Sequence, residues 1–76
     1  MYPVSEQMEA RLANDFTYHP PKPGQQERYI ALRESAKAFA RQVVELTPPG
    51  REQSLALTSI EQAVMNANAA IARGEK

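Results

Sequence analysis

The side chains best suited to chemistry in this sequence are those that could grip an anion or stack on a flat ring. Arg33, Lys37 and Arg41 are spaced by four, so on a helix they form one stripe. Three like charges in a row repel one another, and Glu34 and Glu45 relieve this only in part. Such a stripe is either a solvated face or a phosphate-binding edge, because arginine makes bidentate contacts to phosphate oxygens. Tyr18 stands between Phe16 and His19, next to the run Pro20-Pro21-Lys22-Pro23. A ring held by a stiff loop stacks on a nucleobase at low entropic cost, with a yield of about 1–3 kcal/mol per base. The alternative is that these aromatics staple the loop to the helices, which is the reading favoured for Phe16. A third cluster is Asn66-Ala67-Asn68-Ala69-Ala70-Ile71-Ala72-Arg73. Asparagine is a poor helix former, so one of the two faces a polar pocket or a subunit junction, or both face solvent.

Catalytic constellations are sparse. There is no cysteine nucleophile, and the three glycines are scattered instead of forming a phosphate loop. Glu27, Glu34, Glu45, Glu52 and Glu61 occupy ordinary solvent-facing helix positions. His19 is the one imidazole, and a single histidine per chain makes a poor metal site. Asp15 is its nearest acid in sequence. The chain is expected to be no enzyme and to carry no metal and no cofactor; a small hydrolase built on His19 is the reading to be tested against that.

The elements that must position these residues are helical. Ser5 to Ala13 reads as a short amphipathic helix, with Ser5 as N-cap, Glu6 in the first turn, and Met8 and Leu12 on one face. Asn14-Asp15 ends it, so residues 1–15 hold the N-terminal helix. Residues 16–24 follow as a proline-rich loop, because Pro20, Pro21 and Pro23 forbid a helix and favour a stiff extended path. From 25 to 46 apolar residues recur at steps of three and four: Tyr29, Leu32, Ala36, Phe39, Val43 and Leu46, widened by Ile30, Ala40 and Val44. Thr47-Pro48-Pro49-Gly50 breaks this helix. Thr47 can cap the next one, with Pro48 at its first position, and the second long helix then runs over 48–73. Leu57, Ile60, Val64, Ala67 and Ile71 repeat the seam, and Gly74 stops it. No alternating β-branched run competes. The fold class is therefore all-α: a short N-terminal helix, a proline-rich loop, and an antiparallel two-helix hairpin about 30 Å long.

A chain of 76 residues is one domain with a marginal core of its own. Small domains usually add a staple. Disulfides are excluded by composition and a metal is disfavoured, so the staple is expected to be another copy of the chain. Ala56, Ala63 and Ala70 lie seven apart, which lets another helix approach closely or simply reflects alanine's helix propensity. The formal net charge of +0 argues against a general DNA or RNA binder, which needs a basic excess. No apolar run is long enough to span a membrane, and no signal-peptide core follows Met1. A cytoplasmic protein is expected.

Taken together, Phe16-Thr17-Tyr18-His19-Pro20-Pro21-Lys22, Arg28-Tyr29, Arg51-Glu52-Gln53-Ser54-Leu55-Ala56-Leu57 and Asn66-Ala67-Asn68-Ala69-Ala70-Ile71-Ala72-Arg73 resemble a phage-encoded anti-CBASS sponge family. The resemblance covers roughly Phe16 to Glu75. It implies a helical hairpin that assembles into a compact homohexamer inside the infected bacterial cell. It implies binding of cyclic dinucleotides such as cyclic GMP-AMP and, in many members, of cyclic trinucleotides at separate pockets. The messengers are held intact, which keeps CBASS effectors silent. The dinucleotide pocket of the family lies between protomers, with a stacking aromatic and, on the following helix, a basic residue and a hydroxyl that grip phosphate. The matching positions here are Tyr18, Arg33 and Ser35, with Lys37 on the same basic stripe. A lysine is the family's usual basic residue, so Arg33 keeps the charge but changes its reach. The trinucleotide site carries over loosely to Asn68 and Arg73. The competing reading, from a different class, is a helical oligomeric adaptor that offers its proline loop to a protein partner and binds no nucleotide.

Overall fold

A computed structural model describes residues 1–75. Three helices and no strand are present among them: α1 (Glu6–Asp15), α2 (Gln25–Leu46) and α3 (Arg51–Gly74). The all-helical hairpin expected from the periodicity is what the chain adopts.

Local chemistry sets each boundary. Ser5 is extended and its Oγ accepts from the Met8 amide at 3.1 Å, while Glu6 and Glu9 complement the dipole in the first turn. Asn14 and Asp15 form the last turn of α1, which ends at Asp15 within the expected 1–15. Asp15 is held there by Arg11 at 3.5 Å, one turn earlier. Gly24 precedes α2 with φ +84°, a left-handed conformation that glycine adopts without steric cost. α2 then covers the expected 25–46.

α3 begins at Arg51, three residues after the expected start at Pro48. Pro48 precedes Pro49, and a residue before proline is pushed out of the helical region. Thr47 is not free to cap α3 either. Its Oγ1 donates to the Val43 carbonyl at 2.6 Å, closing the end of α2. Gln53 Nε2 reaches back to Thr47 O at 3.1 Å and to Thr47 Oγ1 at 3.0 Å, pinning the turn. At the other end Gly74 still belongs to α3, and Glu75 caps it by donating its amide to Ile71 O.

α2 and α3 pack antiparallel. The covered stripe on α2 is Tyr29, Leu32, Ala36, Ala40 and Val43, against Ala56, Leu57, Ile60, Val64, Ala67 and Ile71 of α3. Phe39 and Leu46, expected in this seam, lie outside it at 55% and 77% exposure. Ala40 takes the place of Phe39 because a two-helix contact consumes one narrow stripe. No apolar residue is fully buried among the described residues. The chain measures 49 × 38 × 13 Å, and its least dimension is close to one helix diameter of about 10–12 Å. Its radius of gyration of 16.8 Å far exceeds the about 11 Å of a compact chain this long. One protomer is a flat single layer with two open faces.

The open end of the hairpin is closed by polar contacts. Arg28 donates to both Glu75 oxygens, at 2.7 and 2.6 Å. Gln25, the one buried polar residue among those described, donates from Nε2 to Glu75 Oε1 at 3.2 Å and accepts from the Lys22 amide at 2.8 Å. The hydrogen bonds from Arg28 and then Gln25 lower the Glu75 pKa from 4.5 to about 2. A carboxylate with a depressed folded-state pKa stabilises the fold above its unfolded value and loses that effect as pH falls through the folded one. Glu75→Gln is therefore expected to lower the Tm at pH 7, with the deficit present down to about pH 4.5 and vanishing near pH 2. Paired thermal melts of the two proteins across that range test it; a constant deficit at all pH values would contradict it.

Candidate functional site

The basic stripe of α2 rims an open groove. Arg33 and Lys37 stand over a floor of Ala36, Ala40, Ile60 and Val64, with Glu61 and Met65 on the α3 side, around a volume of 550 Å³. Arg41 continues the stripe toward the turn, beside Val44 and Leu57. None of the three cations forms an ion pair among the described residues; the pairs formed there use Arg11, Arg28 and Arg73. Arg33 and Lys37 are thus exposed positive groups beside an apolar surface, an arrangement that suits a ligand with both phosphates and flat rings.

Ser35 lies on the opposite face. It borders a second groove of 450 Å³ with Leu32, Phe39, Ala63 and Ala67. Two residues apart on a helix differ by about 200°, so Arg33 and Ser35 of one chain look away from each other. A ligand on one face of one protomer cannot touch both. Tyr18 sits in the loop beyond α1 with 80% exposure. Phe16, expected to staple the loop, is also displayed to solvent, at 82%. The four residues expected at the dinucleotide site are therefore not gathered within one chain; Arg33 and Lys37 share a groove and the other two lie elsewhere.

The second expected pair is at the open end. Asn68 is partly buried and its Oδ1 is enclosed without a hydrogen-bond partner. Arg73 lies 3.7 Å from Asp15 through Nη1 and Oδ1. Enclosed polar atoms are normally paired, and Asn14 Oδ1 is a second enclosed oxygen without a partner.

His19 turns out to be a capping residue. Its Nε2 donates to the Asn14 carbonyl at 2.9 Å, which satisfies one orphan carbonyl of the last turn of α1. Asp15, its nearest acid in sequence, is engaged by Arg11 and Arg73 instead. A hydrolytic dyad does not form there. No group of three or more His, Asp or Glu side chains that could hold a metal occurs among the described residues, and no helix is long and apolar enough to cross a membrane. The proline run folds against the end of α3, where His19, Pro20, Pro21 and Lys22 line a 320 Å³ cleft with Ala72 and Glu75.

Sequence reasoning missed the contact of Gln25 and Arg28 with Glu75. A turn near residue 49 brings positions in the twenties beside those in the seventies, so the register of the hairpin was the signal that could have found it. Compared with known proteins, the chain matches the family model described as Acb2/Tad1, hairpin domain, over residues 8–72. No curated protein and no solved structure matches it.

Proposed function

The chain belongs to the Acb2/Tad1 hairpin family, and from that premise we propose that it sequesters cyclic nucleotide second messengers without cleaving them. In an infected bacterial cell this would silence CBASS-type antiphage signalling. The ligands are cyclic dinucleotides such as cyclic GMP-AMP, with cyclic trinucleotides at a separate position. The observation that carries this reading is the pair of unpaired cations, Arg33 and Lys37, over an apolar groove on a chain of no net charge. The positive charge is focused on one edge, which suits a small anion better than a nucleic acid duplex.

The dinucleotide site takes Tyr18 for base stacking, Arg33 and Lys37 for phosphate, and Ser35 as a hydroxyl donor. These residues point to different faces in one chain, so the site draws on more than one protomer. Two symmetry-related chains can each offer one ring and one guanidinium to a ligand that has two bases and two phosphates. Self-association to a homohexamer also answers the absence of a buried apolar residue among those described in one protomer. The trinucleotide position takes Asn68 and Arg73.

Capture and recovery of the messenger test this directly. Purified protein is incubated with cyclic GMP-AMP and filtered, and the retained fraction is heated and run on HPLC. The nucleotide should leave the filtrate and return intact after heating. A changed nucleotide would indicate a hydrolase. If neither cyclic dinucleotides nor cyclic trinucleotides are retained, the adaptor reading takes over.

A further inference from the structure

The run that follows Tyr18 is stiff in its middle and fastened at both ends. Pro20, Pro21 and Pro23 fix their own φ angles, and His19 and Lys22, each before a proline, are confined to extended backbone. From His19 to Pro23 the chain therefore behaves as a strut. One end is held where His19 Nε2 donates to the Asn14 carbonyl at 2.9 Å. The other end is held by Gln25, which engages both backbone groups of Lys22. Its Oε1 accepts from the Lys22 amide at 2.8 Å, and its own amide donates to the Lys22 carbonyl at 3.1 Å. Gln25 is only 3% exposed, a depth that glutamine seldom reaches. Tyr18 lies between this strut and Phe16, whose amide caps α1 on Leu12 O. The backbone on either side of the ring is thus fixed, while the ring itself stays open to solvent.

Glu75 decides which way the Gln25 amide faces. An ionised carboxylate only accepts, so Gln25 turns Nε2 toward Glu75 Oε1, at 3.2 Å, and is left with Oε1 toward the Lys22 amide. Arg28 holds Glu75 in place through both carboxylate oxygens. We infer that Gln25, oriented by Glu75, is a positioning residue for the Tyr18 ring, acting on a bound cyclic nucleotide through the strut without touching it. The inference rests on the stacking role proposed for Tyr18 above. Its physical content is preorganisation: a ring on a slack loop must be ordered when a base stacks on it, whereas a ring beside a fixed strut was ordered by folding.

Gln25→Met keeps the volume and the charge but removes both side-chain hydrogen bonds. It is expected to weaken cyclic GMP-AMP binding by about 5- to 20-fold, within the about 5- to 150-fold that the stacked ring itself contributes. The deciding measurement is the same substitution in a Tyr18→Ala background, where it should have no further effect. A loss of equal size without the ring would show a merely structural role and overturn the inference, and so would native affinity in Gln25→Met. The charge-neutral exchange Gln25→Glu with Glu75→Gln supplies a rescue. The carboxylate at 25 can accept from the Lys22 amide and from the new amide at 75, so affinity should return to within about twofold of native; affinity as low as that of Gln25→Met would contradict the wiring. If circular dichroism shows that Gln25→Met loses helix, Pro21→Gly decides instead, because it slackens the strut at an exposed position and leaves the hydrogen bonds intact. It too should weaken binding only when Tyr18 is present, and native affinity there would overturn the inference. A native chain that retains no cyclic nucleotide defeats the proposed function as well, whereas native binding with an unaffected Gln25→Met defeats the positioning role alone.

Discussion

Tyr18→Ala combined with Arg33→Ala is expected to weaken cyclic GMP-AMP binding by about 10²- to 10⁴-fold and to leave the subunit count unchanged. The stacked ring contributes about 1–3 kcal/mol, and a charge-assisted phosphate contact about 1.5–3 kcal/mol. Their sum, about 3–6 kcal/mol, converts to that range at about 1.4 kcal/mol per decade. Neither side chain is spent on the fold. Tyr18 is 80% exposed, and Arg33 is exposed and forms no ion pair among the described residues. Exposed substitutions of this kind usually change stability by less than about 0.5 kcal/mol. Calorimetric titration beside sedimentation separates the two effects. Unchanged affinity would remove these residues from the site, and loss of assembly would make them structural. Arg33→Lys is an informative companion, because it keeps the charge but loses the planar fork. A small loss would mean that the site needs a point charge, and a large one that it needs bidentate geometry.

The helices were legible because their signals are local. The period of the apolar residues located α2 to the residue, since Pro23-Gly24 and Thr47-Pro48 bound it on both sides. The start of α3 lies beyond the expected Pro48 because two prolines in a row act differently from one. Pro48 alone suits a first helical turn, but Pro48 before Pro49 cannot stay helical. The seam was assigned too generously for a related reason. Periodicity shows which residues share a side of a helix, not how wide a neighbour will cover. Leu32 and Ile60 are both half-buried in the hairpin, while Phe39, with the same spacing, stands outside it.

The candidate site was less legible, and the cause is geometric. Arg33, Lys37 and Arg41 were readable as a stripe because spacing by four is a property of one helix. That the cations overhang an apolar floor depends on Ile60 and Val64 of α3, and no local pattern reports this. Arg28 and Glu75 are 47 residues apart, and their pairing follows only from the register of the hairpin. The family resemblance implies Ser35 and Arg33 in one pocket, yet a helix turns two residues this far apart to different faces. On the proposed function, Tyr18, Arg33 and Ser35 would come together only between chains, and no single chain displays that.

Phe39→Ala addresses that assembly at the point where the single chain is least complete. Phe39 is 55% exposed beside Leu32, Ala63 and Ala67 on the face opposite the basic rim. A phenylalanine ring presents about 150–250 Å² of surface, so roughly 100 Å² stays wet in one protomer. At about 25 cal/mol per Å², covering it with a second copy stabilises the assembly by about 2–3 kcal/mol per chain. Truncation to alanine should then raise the subunit dissociation constant by about 30- to 150-fold. A dilution series in the analytical ultracentrifuge measures this, with circular dichroism to confirm that the helices persist at high concentration. If the native and variant chains dissociate at the same concentration, Phe39 faces water in the working protein and the closing interface lies elsewhere. Ile60→Ala supplies the contrast. Ile60 lines the grooves of both faces and packs on α2 within its own chain. Its truncation should lower the Tm of an already dissociated hairpin, whereas Phe39→Ala should act almost wholly through association. A chain with no cysteine and no buried apolar residue among those described would, on the proposed self-association, take most of its stability from the faces it shares with other copies. The helices would be set by local sequence and the core by the number of chains.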